Sequence, residues 1–327
     1  MYVMIKDRSD NMENINIRLY KDGDEETIAK VVARTVKEVN IRDYPQEVIT
    51  KIINTHDATV IKNRAEYSHM YVVCDNEEII GVGAIAPYYN SETESIFLTI
   101  FLLPEYEGKG IGRKIIERLE TDEYFKRADR VEIPASITGV NFYRHMGYGF
   151  KKLGNIINEK GEYRLEKFPK ENLNNNDVNQ YYLRPYIENE YHNYYEFIYN
   201  LKKNAYRKYV EEIWGWDEEL QQKYFKNFIE MHKDKTYLIK LGEKTIGFYN
   251  YEILENGDYE IGNICIIPEY QGKGIGTQIL KDILEINKEK NIHIQYFKQN
   301  PVGKLYARLG FEPNGETDYH YQMIKRR

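Results

Sequence analysis

Two stretches of this chain space their glycines so as to hold an anion. In Gln271-Gly272-Lys273-Gly274-Ile275-Gly276-Thr277 glycine recurs at alternate positions, a strand-like run ending in Ile266 and Ile267 leads in, and a helical pattern leads out. Such a turn aims free backbone N–H groups and the positive end of a helix dipole at one point. Glu107-Gly108-Lys109-Gly110-Ile111-Gly112-Arg113, entered through Leu102 and Leu103, repeats the arrangement. Spacing excludes two phosphate-binding schemes. A dinucleotide fingerprint needs a third glycine three residues after the second, where Arg113 and Thr277 stand. A P-loop needs Gly-Lys-Ser/Thr opening the helix, and neither stretch has it.

The elements that position these turns recur with them. LLPEYEGKGIGRKI at 102–115 returns as IIPEYQGKGIGTQI at 266–279, an offset of 164 residues. Nearly the same offset relates IRLY at 17–20 to LRPY at 183–186, EEIIGVG at 77–83 to EKTIGFY at 243–249, and NFYRHMGY at 141–148 to KLYARLGF at 304–311. Matches in one order predict two copies of one domain: an N-terminal arm at 1–15, a first domain at 16–168, an Asn-rich linker at 169–180 and a second domain at 181–327. Met12 is a second plausible start. Within a copy, Asp24 precedes an amphipathic pattern of Ile28, Val31, Val32, Val36 and Val39, and another helical pattern spans 46–54. Runs 70–74 and 79–85 predict a hairpin, matched by 237–241 and 245–251. A strand at 96–103 (259–267) meets Pro104 (Pro268) and the glycine turn, then a helix; a strand at 131–133 (292–296) leads to the helix carrying Tyr143 (Tyr306). Each copy is therefore α/β.

The segment from Gln271 to Gly276 resembles the pyrophosphate loop of the GNAT superfamily of acetyl-CoA-dependent N-acetyltransferases, whose pattern is Gln/Arg-x-x-Gly-x-Gly/Ala. About thirty residues on, Asn300-Pro-Val-Gly-Lys-Leu-Tyr306-Ala-Arg-Leu-Gly310-Phe311 resembles that superfamily's second cofactor motif, and the first copy has Ser136 followed by Asn141-Phe-Tyr143-Arg-His-Met-Gly147-Tyr148. The resemblance covers nearly the whole chain. It implies two copies of the GNAT fold, each a mixed, mostly antiparallel sheet flanked by helices. It also implies acetyl-CoA (coenzyme A) as donor. The implied contacts come from Ile266, Ile267, Gln271 to Thr277 and Asn300 in one copy, and from Leu102, Leu103, Glu107 to Arg113 and Ser136 in the other. Asn300 would touch the pantetheine arm, and Tyr306 or Tyr143 would protonate the departing thiolate. A phenol of pKa about 10 can do so when a thiolate is generated beside it. The other reading of Tyr306 is a core aromatic.

An alkylamine acceptor, with a pKa of about 10.4, must lose a proton before it attacks. Glu260 stands eleven residues ahead of Gln271, where some members of the superfamily carry their base, and Ile96 is its counterpart. Glu132, eleven residues before Tyr143, stands where other members carry theirs, with Gln295 as its counterpart. Each is either a base or a salt-bridged carboxylate. Gln271 can donate to a pyrophosphate that Glu107 would repel, which favours the second copy as the main catalyst. The acidic and aromatic stretch from Tyr206 to Glu218 is either a solvated helix face or a lure for a cationic amine through Glu211, Glu212, Asp217 and Glu218. The expected acceptor is a small-molecule or peptide amine. The alternative is a non-catalytic acyl-CoA-binding or interaction protein.

Other chemistries fail. The seven histidines form no i, i+4 pair and join no cysteine cluster, so no metal site is readable. No Gly-x-Ser-x-Gly elbow occurs, and Cys74 and Cys265 lie inside apolar runs as buried reduced thiols. Forty-six Lys plus Arg against 52 Asp plus Glu leave a net charge of −6, which disfavours a nucleic-acid partner. The longest apolar run, 96–103, falls far short of the roughly 20 residues of a membrane span. An N-terminus with charge by residue 6 and no apolar h-region makes cytoplasm the expectation.

Overall fold

The computed structural model describes residues 14–170, 180–186 and 191–327. The expected arm up to residue 13, with Met12, and most of the linker, 171–179, lie outside the described residues. The chain folds as two compact units, and residues 152–157 belong with the second.

The first unit contains β1 (Ile15–Leu19), α1 (Glu25–Glu38), α2 (Gln46–Asn54), α3 (Ala58–Tyr67), β2 (His69–Asp75), β3 (Glu78–Pro87), β4 (Glu94–Leu102), α4 (Ile111–Glu120), α5 (Glu123–Arg127), β5 (Arg130–Ala135), α6 (Val140–His145), β6 (Gly149–Phe150) and β7 (Tyr163–Lys167). Its sheet runs β1-β2-β3-β4-β5-β7-β6. The second contains β8 (Tyr181–Pro185), α7 (Tyr191–Trp214), α8 (Glu218–His232), β9 (Thr236–Leu241), β10 (Lys244–Ile253), β11 (Tyr259–Ile266), α9 (Ile275–Ile286), β12 (Ile292–Phe297), α10 (Gly303–Arg308), β13 (Glu312–Glu316) and β14 (His320–Lys325). Its order, β13-β14-β12-β11-β10-β9-β8, is that of the first sheet in mirror listing. In the second unit Ile279, Leu280 and Ile283 of α9 pack with Ile246, Ile261 and Ile294 on one side of the sheet, while Ile198, Leu201, Phe225 and Ile229 of α7 and α8 pack with Leu238, Phe248 and Cys265 on the other. Both faces are covered, which explains the near-continuous apolar runs of the central strands. The edge strand β8 is closed by the 152–157 segment, where Leu183 N donates to Asn155 O at 3.0 Å.

All neighbouring strands are antiparallel except β4 with β5 and β11 with β12. The parallel pairing is short. Tyr259–Ile261 meets Ile292–Ile294, after which β11 continues to Ile266 and β12 to Phe297 without pairing to each other. The first unit does the same from Glu94–Ile96 and Arg130–Glu132. A bulge opens each gap: Asn250 pairs with Asn263 but Tyr251 with Ile261, leaving Gly262 as the extra residue that bends β11. A Cβ on Gly262 would lie 2.7 Å from Asn250 Nδ2, so a side chain there would displace the Asn250 amide.

Three sequence expectations change. Asp24 precedes α1 but makes no side-chain cap, because its carboxylate takes Arg18 at 2.7 Å and the Lys21 N–H at 2.8 Å. The helix α3 was not anticipated. Glu132 pairs with Ile96 as His293 pairs with Glu260, so His293, two residues before Gln295, holds the place of Glu132 beside the preceding strand.

Candidate active site

The glycine turns sit where the parallel strands part. Gly272 and Gly274 adopt φ of 70° and 82°, Gly108 and Gly110 of 71° and 77°, and a Cβ built on any of them meets nothing within 4 Å. Backbone conformation, not crowding, selects glycine here. Gly274 and Gly110 are the N-caps of α9 and α4. Among the described residues the N–H groups of 272–277 and of 108–113 have no partner, as expected for a helix start left open to a ligand. That donor set fits a pyrophosphate.

The side chains of the two turns differ. Gln271 Nε2 donates to Ile266 O at 2.7 Å, tying the turn to the end of β11, and Ile267 N donates to Ile246 O at 2.8 Å. Lys273 and Lys244 both stand over the Tyr270 ring, at 4.9 and 4.8 Å. In the first unit Leu103 N donates to Ile80 O at 2.9 Å and Lys109 stands over Tyr106 at 5.5 Å. Desolvation pushes the Glu107 carboxyl up, and Arg42 pulls it partly back.

The tyrosine helices begin alike. Asn300 Oδ1 accepts the Val302 N–H at 3.0 Å, and Ser136 Oγ accepts the Gly139 N–H at 3.0 Å. Tyr306 meets Tyr296 edge to face with ring centroids 5.6 Å apart, and Tyr143 is buried against Phe142. Burial pushes both phenols well above their ordinary value, so both are protonated throughout the neutral range.

The two carboxylates part company. Glu132 has no exposed side-chain surface and is ringed by Arg130 at 2.5 Å, Lys151 at 3.1 Å and Arg164. Burial pulls its carboxyl up, but hydrogen bonds from Arg130 and Arg164 outweigh that and hold it below the usual range. Glu260 is half-buried and has no ion-pair partner among the described residues. It lines a cavity of about 420 Å³ in the second unit, walled by Tyr199, Tyr206, Phe225 and Phe228 of α7 and α8 and floored by β10 to β12. Tyr296 belongs to the same lining, Tyr306 packs edge to face on it without itself lining the cavity, and Glu132 and Tyr143 are in the other unit.

The acidic stretch does not face this cavity. Asp217 caps α8 by accepting the Leu220 N–H at 3.0 Å, and Glu211 pairs with Arg207 on an open surface shared with Glu212. Glu218 accepts from Lys203 at 2.7 Å and from Trp216 Nε1 and Tyr199 Oη at 2.8 Å each, contacts that pull its carboxyl down to about 2, Lys203 most strongly. The aromatic half of the stretch, Tyr206 and Trp216, does line the cavity. Cys265 is buried 3.9 Å from Tyr206 Oη, and burial pushes its thiol up to about 11, which makes it a poor nucleophile. Sequence reasoning missed Glu252 and Lys202, both in the lining. The helical spacing of Tyr195, Tyr199, Lys202 and Tyr206 was the available signal for Lys202. Among the described residues no group of three or more His, Cys, Asp or Glu could hold a metal, and no helix is long and apolar enough to cross a membrane.

Comparison with known proteins agrees with this geometry. An acetyltransferase (GNAT) family model matches residues 195–311, and an acetyltransferase (GNAT) domain model matches 66–149. The spermine/spermidine N(1)-acetyltransferase of Bacillus subtilis is 35% identical over 75 residues, 21% of this chain and 49% of that protein. The N-alpha-acetyltransferase RimI of Mycobacterium tuberculosis is 28% identical over 67 residues, 20% of this chain and 42% of that protein. The chain thus spans about half the length of the curated relatives it matches. Among solved structures, the PaiA N-acetyltransferase of Thermoplasma acidophilum in complex with coenzyme A is 20% identical, with a TM-score of 0.41 over 47% of this chain and 98% of that one. With an unpartnered glycine turn at a strand fork in each unit and a family match in each half, the chain belongs to the GNAT acetyltransferases and carries two GNAT domains.

Proposed function

We propose that the second unit is the main catalyst of an N-acetyltransferase that moves the acetyl group of acetyl-CoA directly to an amine. The observation that carries this reading is the cavity holding the unpaired carboxylate of Glu260 beside the Tyr296–Tyr306 pair. The donor supplies an activated thioester. The N–H groups of 272–277 hold its pyrophosphate, with Gln271 bracing the turn from β11. Glu260 takes the proton that the acceptor ammonium must lose. The amine nitrogen then forms a C–N bond as the thioester C–S bond breaks; Tyr306, kept protonated by burial, gives a proton to the leaving sulfur, and the second proton that the nitrogen sheds restores the phenol. One proton is released overall, because the substrate amine arrives as an ammonium. The first unit keeps the turn and Tyr143 but spends Glu132 on three cations. We assign it weaker donor binding. The enzyme is taken as cytoplasmic, a compartment in which the buried free thiols Cys74 and Cys265 stay reduced.

Steady-state kinetics with acetyl-CoA and a panel of amines tests the reading. Native protein should acetylate at least one amine with kcat/KM rising with pH, and Glu260→Gln should flatten that rise. A transfer rate that Glu260→Gln leaves untouched at every pH would remove Glu260 from the mechanism.

A further inference from the structure

Four side chains of full charge line the second unit's cavity: Lys202, Lys203, Glu252 and Glu260. Two are already neutralised. Lys203 pairs with Glu218 at 2.7 Å, and Glu252 pairs with Lys235 and with His232 at 3.2 Å. Among the described residues Lys202 and Glu260 have no ion-pair partner, one cation and one anion in the same cavity. The Lys202 ammonium stands 3.6 Å from the Phe228 ring centroid, a contact that stabilises charge without accepting a directed hydrogen bond. Its three N–H donors are left for a ligand. Burial pushes this lysine down to about 8, so it is still mostly charged at neutral pH. His320, also in the lining, is pushed down by burial, which disfavours its charged form. Much of the rest of the wall is ring surface from Tyr199, Tyr206, Trp216, Tyr224 and Phe225, with the side-chain amides of Gln221, Asn250, Asn263 and Gln295 set among it.

We propose that the acceptor is a small zwitterion, an α-amino acid with an aromatic or long apolar side chain, whose amine faces Glu260 and whose carboxylate is held by Lys202. This rests on the cavity being the acceptor site of the acetyl transfer proposed above. A polyamine fits the same space less well: with one ammonium at Glu260, its next would meet the unpaired Lys202, a like-charge contact that selects against it. A cavity of about 420 Å³ is at the small end of ligand pockets and suits one amino acid better than a peptide.

The test uses the full chain and pairs each aromatic or apolar amino acid with its amide, with spermidine as the cationic comparison. Acetyl transfer is read as thiol release, and binding without acetyl-CoA is read separately from the fluorescence of the cavity residue Trp216, in a chain with only two tryptophans. The expected result is a tenfold or greater preference in KM for at least one free acid over its amide. That preference should fall to about one in Lys202→Met and return in Lys202→Arg. Equal use of acid and amide, preference for spermidine, or a preference that survives Lys202→Met would overturn the proposal while leaving acetyl transfer intact. If amino acids bind with the Lys202-dependent preference but no amine is acetylated, recognition stands and the acetyl-transfer reading fails.

Discussion

Of the edge-to-face pair Tyr296 and Tyr306, ring centroids 5.6 Å apart, only Tyr296 lines the proposed acceptor cavity. Tyr306 stands one ring away from that lining, against Tyr296 and Phe311. A leaving-group acid placed there affects turnover more than acceptor binding. Tyr306→Phe should lower kcat by about 10² to 10⁴ with little change in acceptor KM, the usual scale for losing general acid catalysis. Tyr143→Phe should change turnover far less. A larger loss from Tyr143→Phe would move the main catalyst to the first unit.

Donor binding follows from the turns. Alanine at position 274 or 110 must adopt a φ near 80°, which is strained for any residue with a Cβ, and the amides around it would turn off target. Calorimetry with acetyl-CoA should find two sites per chain, the tighter one lost in Gly274→Ala and the weaker one in Gly110→Ala. Glu107→Gln should strengthen the weaker site by removing a carboxylate beside the anion. A single site insensitive to Gly110→Ala would show that the first turn binds no donor.

The turns were legible in the sequence because their requirement is local: a positive φ at two positions and open amides are written as Gly-x-Gly. The repeat was legible for the same reason, since each copy must rebuild the strand, turn and helix. The setting of the carboxylates was not legible. Glu132 reads like Glu260 along the chain, and only the sheet brings Arg130, Lys151 and Arg164 together around it. Lys202 and Glu260 lie 58 positions apart, and their lack of partners depends on Glu218, Lys235 and His232 having satisfied Lys203 and Glu252 first. The acidic run misled because charge sequence does not say which way a helix turns; Asp217 became a cap and Glu218 a hub of three donors.

That hub changes the expected salt response. With Glu218 engaged and Glu211 and Glu212 on an open surface, the acidic stretch itself adds no free carboxylate to the cavity lining. The double variant Glu211→Gln/Glu212→Gln should leave acceptor KM within about twofold at low salt, where exposed charges act most strongly. A KM that rises severalfold in that variant, or steeply with ionic strength in the native protein, would restore these residues as a steering surface.

The Glu132 cluster makes the last prediction, one of stability. A carboxylate with no exposed surface, held by three cations, leaves them uncompensated when it is neutralised, and breaking such a pair costs about 3 to 5 kcal/mol. Arg130 retains Glu94 at 3.0 Å and Glu166 at 3.3 Å, so Glu132→Gln should fall near the low end, about 3 kcal/mol. Its folded-state titration is lowered from the ordinary carboxylate value of about 4.3. The stabilisation is therefore complete above that value and is lost as pH falls through the lower folded value. Thermal unfolding should show an earlier first-unit transition in Glu132→Gln at pH 7, with the gap from native protein closing as the pH is taken below about 4. Unchanged melting accompanied by a large loss of turnover would instead make Glu132 a working base.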